Sequence, residues 1–249
     1  MTPASIEWIE QCDSTNSLMK SRGNAVPHAH VLAAHTQTAG RGQRGNSWEA
    51  EADRNLTFSM MLRPSGMQAE RQFELSMLTS LAILNVLSRY LGREASLTLK
   101  WPNDIYAGDK KLGGILIEGS ISGTTLDYIV LGVGINVNQT VFLSDAPNPV
   151  SMAQLAGHEF GREALLQEIA DEIAEQTAIY EAAPDFDALH ALYTDALWRR
   201  TGTHKYRDTA TGQCFDASIA DVLPDGRLRL LRADGTTGDY EFKQVAAII

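Results

Sequence analysis

Residues 40–48, Gly-Arg-Gly-Gln-Arg-Gly-Asn-Ser-Trp, put three glycines and two arginines into nine positions. Glycine lets a backbone come close to a ligand, and arginine offers a rigid fork of donors to phosphate or carboxylate. The chemistry such a loop suits is the gathering of anions; an ordinary polar surface loop is the plainer alternative. Gly40, Gly42 and Gly45 satisfy the letters of a dinucleotide fingerprint, but that fold needs a helix to open at this point. Residues 46–55 have no apolar period and lead into a strand-like run, and the Gly-Lys-Ser/Thr ending of a P-loop is missing.

Three other segments carry reactive side chains. Lys100-Trp101-Pro102-Asn103-Asp104 is followed closely by Lys110-Lys111-Leu112-Gly113-Gly114. Pro102 fixes a turn after a strand and biases Trp101 away from helix. Lys111 heads an apolar strand, so its ammonium can be held at a cleft mouth, where it would stabilise the charge developing in acyl–phosphate chemistry. A plain surface lysine is the competing reading, and Lys110 reads as solvated. Gly132 and Gly134 interrupt an apolar strand ending in Ile135-Asn136-Val137-Asn138. Glycine there marks either close approach of another group or a β-bulge. Asp13-Ser14-Thr15-Asn16 offers hydroxyls and an amide to a small polar ring, although a helix cap also explains Ser14.

The elements that must position these groups follow from apolar periodicity. Strands are predicted over 6–12, 30–37, 55–62, 96–101, 104–107, 112–118 and 126–137. Helices are predicted from Ser14 to Gly23 and over 70–91, the latter apolar on nearly every side between Leu81 and Leu87 and therefore buried between layers. Residues 161–180 form an amphipathic helix with Leu166, Ile169, Ile173, Thr177 and Tyr180 inward and Glu163, Glu168, Asp171, Glu172 and Glu175 solvated. A further helix covers 185–199. Beyond Arg200, Pro224-Asp225-Gly226 and Ala233-Asp234-Gly235 are turn signals between short apolar runs, predicting a small all-β module. Strands and helices mixed without a steady βαβ rhythm give an α+β fold, a mixed sheet layered with helices. The domains are expected at 1–200 and 201–249.

Bulk properties narrow the partners. Thirty-one acidic against 21 basic residues give a formal charge of −10 over 249 residues, which disfavours nucleic acid and an acidic membrane surface. No apolar run approaches the roughly 18 residues of a membrane span. The N-terminus lacks the basic-then-apolar pattern of a secretory signal, so a cytoplasmic location is expected. Cys12 and Cys214 form no C-x-x-C pair, and His28 and His30 lack metal-site spacing.

Taken together, in order and spacing, the four segments resemble the biotin–protein ligase family, strongly from Asp13 to Asn138 and by layout beyond. The resemblance implies a catalytic domain akin to class II aminoacyl-tRNA synthetases, followed by a small SH3-like barrel. It implies an ATP-dependent enzyme that forms biotinyl-5′-AMP and passes the biotinyl group to a lysine of a biotin carboxyl carrier protein. Carried onto this chain, Ser14, Thr15, Asn16 and Gln37 would hold the biotin ring. Arg41, Gly42 and Gln43 would gather carboxylate and phosphate, and Lys111 would polarise the biotin carboxylate. Gly114, Gly132 and Gly134 would line the pocket, and Trp48, Asn103 and Asn136 would lie near the adenylate. Magnesium would arrive with ATP, its protein ligands unspecified. Gln43 stands where many bacterial members carry arginine, with Arg44 next along as a substitute. The matched region begins almost at Met1, the pattern of the ligase-only class without a DNA-binding segment. A lipoate–protein ligase and a non-catalytic biotin-binding regulator are the alternatives, and both a monomer and a homodimer remain open.

Overall fold

The computed structural model describes residues 3–144 and 148–249, with nothing said of the Arg44 side chain. Its larger sheet contains β1 (Ser5–Cys12), β2 (His30–Gln37), β3 (Leu56–Leu62), β4 (Leu97–Lys100), β5 (Asp104–Ala107), β6 (Lys110–Ser122) and β7 (Thr125–Ile135). The strand order is β1-β2-β3-β7-β6-β5-β4. Only β1 and β2 run parallel; every other neighbouring pair is antiparallel. The α+β fold expected from the sequence is what forms.

Both faces of this sheet are covered, which is why β3 is buried at all seven of its residues. On β2, Val31 and Ala33 enter the main core while Leu32 between them enters a second, smaller one with Met19, Met61 and Val130. That alternation follows from the two-residue period of a strand. The small core lies under α1 (Thr15–Arg22), and the large core under α2 (Gln72–Leu91) and, beyond the short capped α3 (Met152–Ala156), α4 (Arg162–Ala182) and α5 (Phe186–Asp195).

Some expectations need correction. The fully buried stretch of α2 is residues 74–80, not 81–87, because its first half runs deepest between sheet and helices. Glu74 is buried there because Arg71 holds it bidentately at 2.7 and 2.8 Å and Tyr180 donates to it at 2.9 Å. Burial, and then the Glu74 carboxylate, push the Tyr180 hydroxyl up to about 12. The apolar face expected on α4 is buried as described, but its acidic face is only partly solvated. Asp171 accepts the Ala4 amide at 2.7 Å and Glu172 accepts from Asn85 at 2.9 Å. Helix α5 stops at Asp195 rather than 199, since the chain turns to pair Leu197 with Leu99 of β4.

The chain then enters an antiparallel sheet of β8 (His204–Asp208), β9 (Cys214–Val222), β10 (Leu228–Arg232), β11 (Thr237–Tyr240) and β12 (Val245–Ala247), ordered β11-β10-β9-β8-β12. Gly226 and Gly235, at φ +86° and +83°, sit in the left-handed region that the two Asp-Gly turns require. Gly226 also touches the large layer: its carbonyl accepts from Trp101 Nε1 at 2.8 Å. Among the described residues no helix is long and apolar enough to cross a membrane.

Candidate functional site

A cleft of about 1150 Å³ opens between one face of the large sheet and the small sheet. The residues that the resemblance carried onto the site all line it: Ser14, Thr15, Asn16, Gln37, Arg41, Gly42, Gln43, Trp48, Asn103, Lys111, Gly114, Gly132, Gly134 and Asn136. Tyr206, Phe242 and Val245 of the small sheet and its loops form part of the opposite wall.

Its inner end is built by the start of α1. Ser14 occupies the N-cap position, but its side chain makes no capping bond, so a cap does not explain it. It is buried at the cleft wall instead. Gln37 Oε1 accepts from Thr15 N at 2.7 Å and from Thr15 Oγ1 at 3.1 Å, fixing the end of β2 against α1. Asn16 Oδ1 accepts from Ser59 Oγ of β3 at 2.5 Å, and its amide nitrogen donates to Glu118 Oε2 at 3.1 Å. The Asn16 amide is thus oriented from both sides.

The glycines of β7 are floor tiles. Pairing on both sides is regular, Gly132 with Ser59 and Leu116, Gly134 with Thr57 and Gly114, so no bulge lies there. A Cβ on Gly132 would stand 2.2 Å from Asn16 Oδ1, and one on Gly134 2.3 Å from the Trp48 ring. Close approach is therefore the reason for both.

Residues 40–48 form a small hairpin. Arg41 bridges Ser47, Gly42 N donates to Asn46 O at 2.7 Å, and Trp48 N donates to Gly40 O at 2.9 Å. A tight turn over Gln43–Gly45 closes the tip, and Lys243 of the small unit donates to Asn46 Oδ1 at 3.4 Å. The Arg41 guanidinium lies beside Glu118 of β6, Nη1 and Nη2 each 3.2 Å from a carboxylate oxygen. Lys20 adds a third contact at 3.0 Å. Burial would raise the Glu118 carboxyl; hydrogen bonds from Lys20 and Asn16 and the charges of Arg41 and Lys20 outweigh it and hold it below its usual value. Two cations against one carboxylate leave this corner with a surplus positive charge. The side chain of Arg44, expected to stand in for an arginine at 43, lies outside what is described.

Lys111 is held from several directions. Its backbone N donates to Asn148 O at 2.8 Å and its O accepts from Val150 N at 2.9 Å. Asn136, buried, donates its side-chain amide to Val150 O at 3.1 Å and to Lys111 O at 3.4 Å. Its side chain therefore positions the lysine strand. Asn103 does similar work, giving its side-chain amide to Ile115 O and accepting Ile115 N at its backbone carbonyl at 2.9 Å. The Trp101–Pro102 peptide is cis, and Tyr193 of α5 donates to Pro102 O at 3.2 Å. The ammonium of Lys111 meets Asp104 Oδ1 at 2.7 Å and stands 5.8 Å from the centre of the Trp48 ring. Trp48 Nε1 is buried with no acceptor among the described residues, an uncommon state for a buried donor unless a ligand completes it.

Sequence reasoning gave no role to Asp104, Glu118, Ser59 or Glu49. Asp104 stood inside a recognised motif, and Glu118 is the one acid ending the apolar run of β6; either signal was there to be used. Ser59 and Glu49 had none.

The cleft thus brings the amides and hydroxyls at the start of α1 together with Arg41, which shares Glu118 with Asn16, and with Lys111 beside Asp104. The family described as biotin/lipoate A/B protein ligases matches residues 8–136, half of the chain. The chain belongs to that family. It is 32% identical over 231 residues to a biotin–[acetyl-CoA-carboxylase] ligase of Paracoccus denitrificans, covering 88% of this chain and 95% of that protein. A biotin protein ligase from Aquifex aeolicus, solved with biotin and ATP, has a TM-score of 0.80 at 23% identity, with 98% of each chain covered. The Leishmania major enzyme, solved with biotinyl-5-AMP, has a TM-score of 0.68 at 22% identity, covering 96% of this chain and all of that one (100%). Likeness at that level of identity establishes a shared fold.

Proposed function

We propose that the chain is an ATP-dependent biotin–protein ligase. The observation that carries this is the meeting of four separate segments, 13–16, 37–48, 100–114 and 132–136, in one cleft with an inner amide-and-hydroxyl end and a cationic rim. The Paracoccus relative, matched over nearly its whole length, supports the same activity.

A carboxylate oxygen of biotin attacks the α-phosphorus of ATP; the bond to the β-phosphate breaks and pyrophosphate leaves. The amine of an acceptor lysine then attacks the acyl carbon of biotinyl-5′-AMP, loses a proton, and AMP departs. Ser14, Thr15, Asn16 and Gln37 hold the ring of biotin. Arg41, with Gly42 and Gln43, meets carboxylate and phosphate, and Lys111 compensates charge on the reacting oxygens. Trp48 supplies its ring and unpaired indole N–H beside the nucleotide. Asn103 and Asn136 keep the Lys111 strand in place, and Gly114, Gly132 and Gly134 keep the floor flat. Catalysis rests on positioning and charge stabilisation.

Magnesium enters with ATP in this scheme. Among the described residues no three His, Cys, Asp or Glu side chains gather as an ion site, so phosphate oxygens and water would be its main ligands. The acceptor is a biotin carboxyl carrier protein or domain, and the enzyme works in the cytoplasm. Residues 1–200 are assigned the chemistry, and 201–249 the closing wall. Calorimetric titration with biotin and with lipoate tests the choice of substrate: biotin should bind and lipoate should not. Tighter binding of lipoate would replace this function with the other branch of the family.

A further inference from the structure

Glu49 follows Trp48 directly and so stands at the base of the 40–48 hairpin. Its carboxylate accepts from Leu143 N at 2.8 Å, Ser144 N at 2.7 Å and Gln139 Nε2 at 3.1 Å. All these donors come from residues 139–144, a segment with no strand or helix of its own.

The inner end of that segment is rigid. Gln139 is 1% exposed. Its Oε1 accepts from Asn55 Nδ2 at 2.5 Å and from Glu51 N at 3.0 Å, and its Nε2 donates to Val141 O at 2.8 Å besides Glu49. The hydrogen-bonding capacity of that amide is fully used. The outer end has no such anchoring: Leu143 is 87% exposed, so apolar packing does not hold it. Among the described residues, Glu49 is the side chain that holds the Leu143 and Ser144 amides. Phe142, Leu143 and Ser144 nonetheless line the cleft, and the chain beyond them pairs Pro149 with Lys111. Burial would raise the Glu49 carboxyl, but the bonds from Ser144, Leu143 and Gln139 bring it below its usual value. It is therefore ionised at neutral pH, and its bonds to the loop are charge-assisted.

We propose that Glu49 is a positioning residue that fastens the outer end of this segment, Leu143 and Ser144, to the base of the Gly40–Trp48 hairpin. The substrate that depends on this is ATP, which rests on the ligase reading. The fastened segment is tied to the residue after Trp48 and leads to the pairing of Pro149 with Lys111, whereas Thr15, Asn16 and Gln37 at the biotin end receive none of its hydrogen bonds.

The test is made in the full chain with Glu49→Ala and the near-isosteric Glu49→Gln. Glutamine keeps one acceptor oxygen but turns an NH₂ toward the second backbone amide. Hydrogen exchange at Leu143 and Ser144, followed by NMR without ligand, should quicken about tenfold, and KM for ATP should rise about tenfold, as for the loss of one charge-assisted bond. Biotin affinity, titrated without ATP, should stay within about twofold, a split that a general loss of structure would not give. Unchanged exchange at the two amides, or equal losses for ATP and biotin, overturns the proposal. If the unaltered chain binds neither substrate, the ligase reading fails instead, and exchange at Leu143 and Ser144 still decides whether Glu49 holds the segment.

Discussion

Replacing Lys111 by alanine removes a cation whose ammonium lies 2.7 Å from Asp104. Two effects follow, and they separate by assay. Charge developing on the reacting oxygens loses its compensation, which costs on the order of 3 kcal/mol, or about a hundredfold in rate. In addition, Asp104, with a fifth of its side chain exposed (20%), is left as a bare carboxylate in a site that must admit two anionic substrates. Unit charges about 4 Å apart at an effective dielectric of about 20 interact by roughly 4 kcal/mol; at the greater distance and exposure of this cleft, about 1.4 kcal/mol, or tenfold in biotin affinity, is expected. Lys111→Ala should therefore lose about a hundredfold in biotin-dependent adenylation and about tenfold in biotin binding. Adding Asp104→Asn to Lys111→Ala should restore the binding and leave the rate down. Single-turnover adenylation at saturating biotin, beside titration of biotin alone, measures both. If the double variant recovers the rate along with the affinity, Lys111 does no more than neutralise Asp104, and its role in the reaction is wrongly assigned.

Gly132→Ala would drive a methyl group into the Asn16 amide; it should weaken biotin binding and lower thermal stability by about 1–3 kcal/mol, read by titration and melting. Gly134→Ala should instead displace Trp48 and raise KM for ATP more than biotin affinity falls, seen also as a shift in tryptophan fluorescence. Gln43→Arg should slow release of bound biotinyl-adenylate about tenfold by adding a charged contact, and Arg41→Gly should speed it and label bystander lysines; equal decay of purified adenylate complexes would refute both. Glu118 has a depressed folded-state value, so its contribution to stability is present above the unfolded carboxyl value, about 4.5, and is lost as pH falls through the lower folded one. Glu118→Gln should accordingly be less stable than the parent at pH 7, with the difference shrinking in acid-titrated melts as the pH falls below about 4.5 and through the lower folded value.

The legible parts of this molecule were those whose signal is local. The strands over 30–37 and 104–107, the inward face of α4 and the Asp-Gly turns of the small sheet follow from period and turn chemistry within a few residues. The lining of the cleft was also legible: glycines and charges in short runs mark part of it, and the family resemblance adds Gln37, Trp48, Asn103 and Asn136. What the sequence left open at Gly132 and Gly134, bulge or close approach, is decided by side chains from Asn16 and Trp48, far away in the chain. Glu49 looked like any acid in a polar stretch because its donors come some 90 residues later. Helix α3 was missed although Ser151 and Gln154 form a reciprocal capping box; five residues are too few to show a helical period. The extent of α5 was overestimated because pairing of Leu197 with Leu99 overrides helical propensity.

Release of pyrophosphate from ATP by the purified chain, measured with and without biotin, decides whether this cleft joins biotin to ATP. Pyrophosphate should appear only when biotin is present, stop near one equivalent per chain, and resume when a biotin carboxyl carrier domain is added. Pyrophosphate released without biotin, or none released with it, would contradict the account.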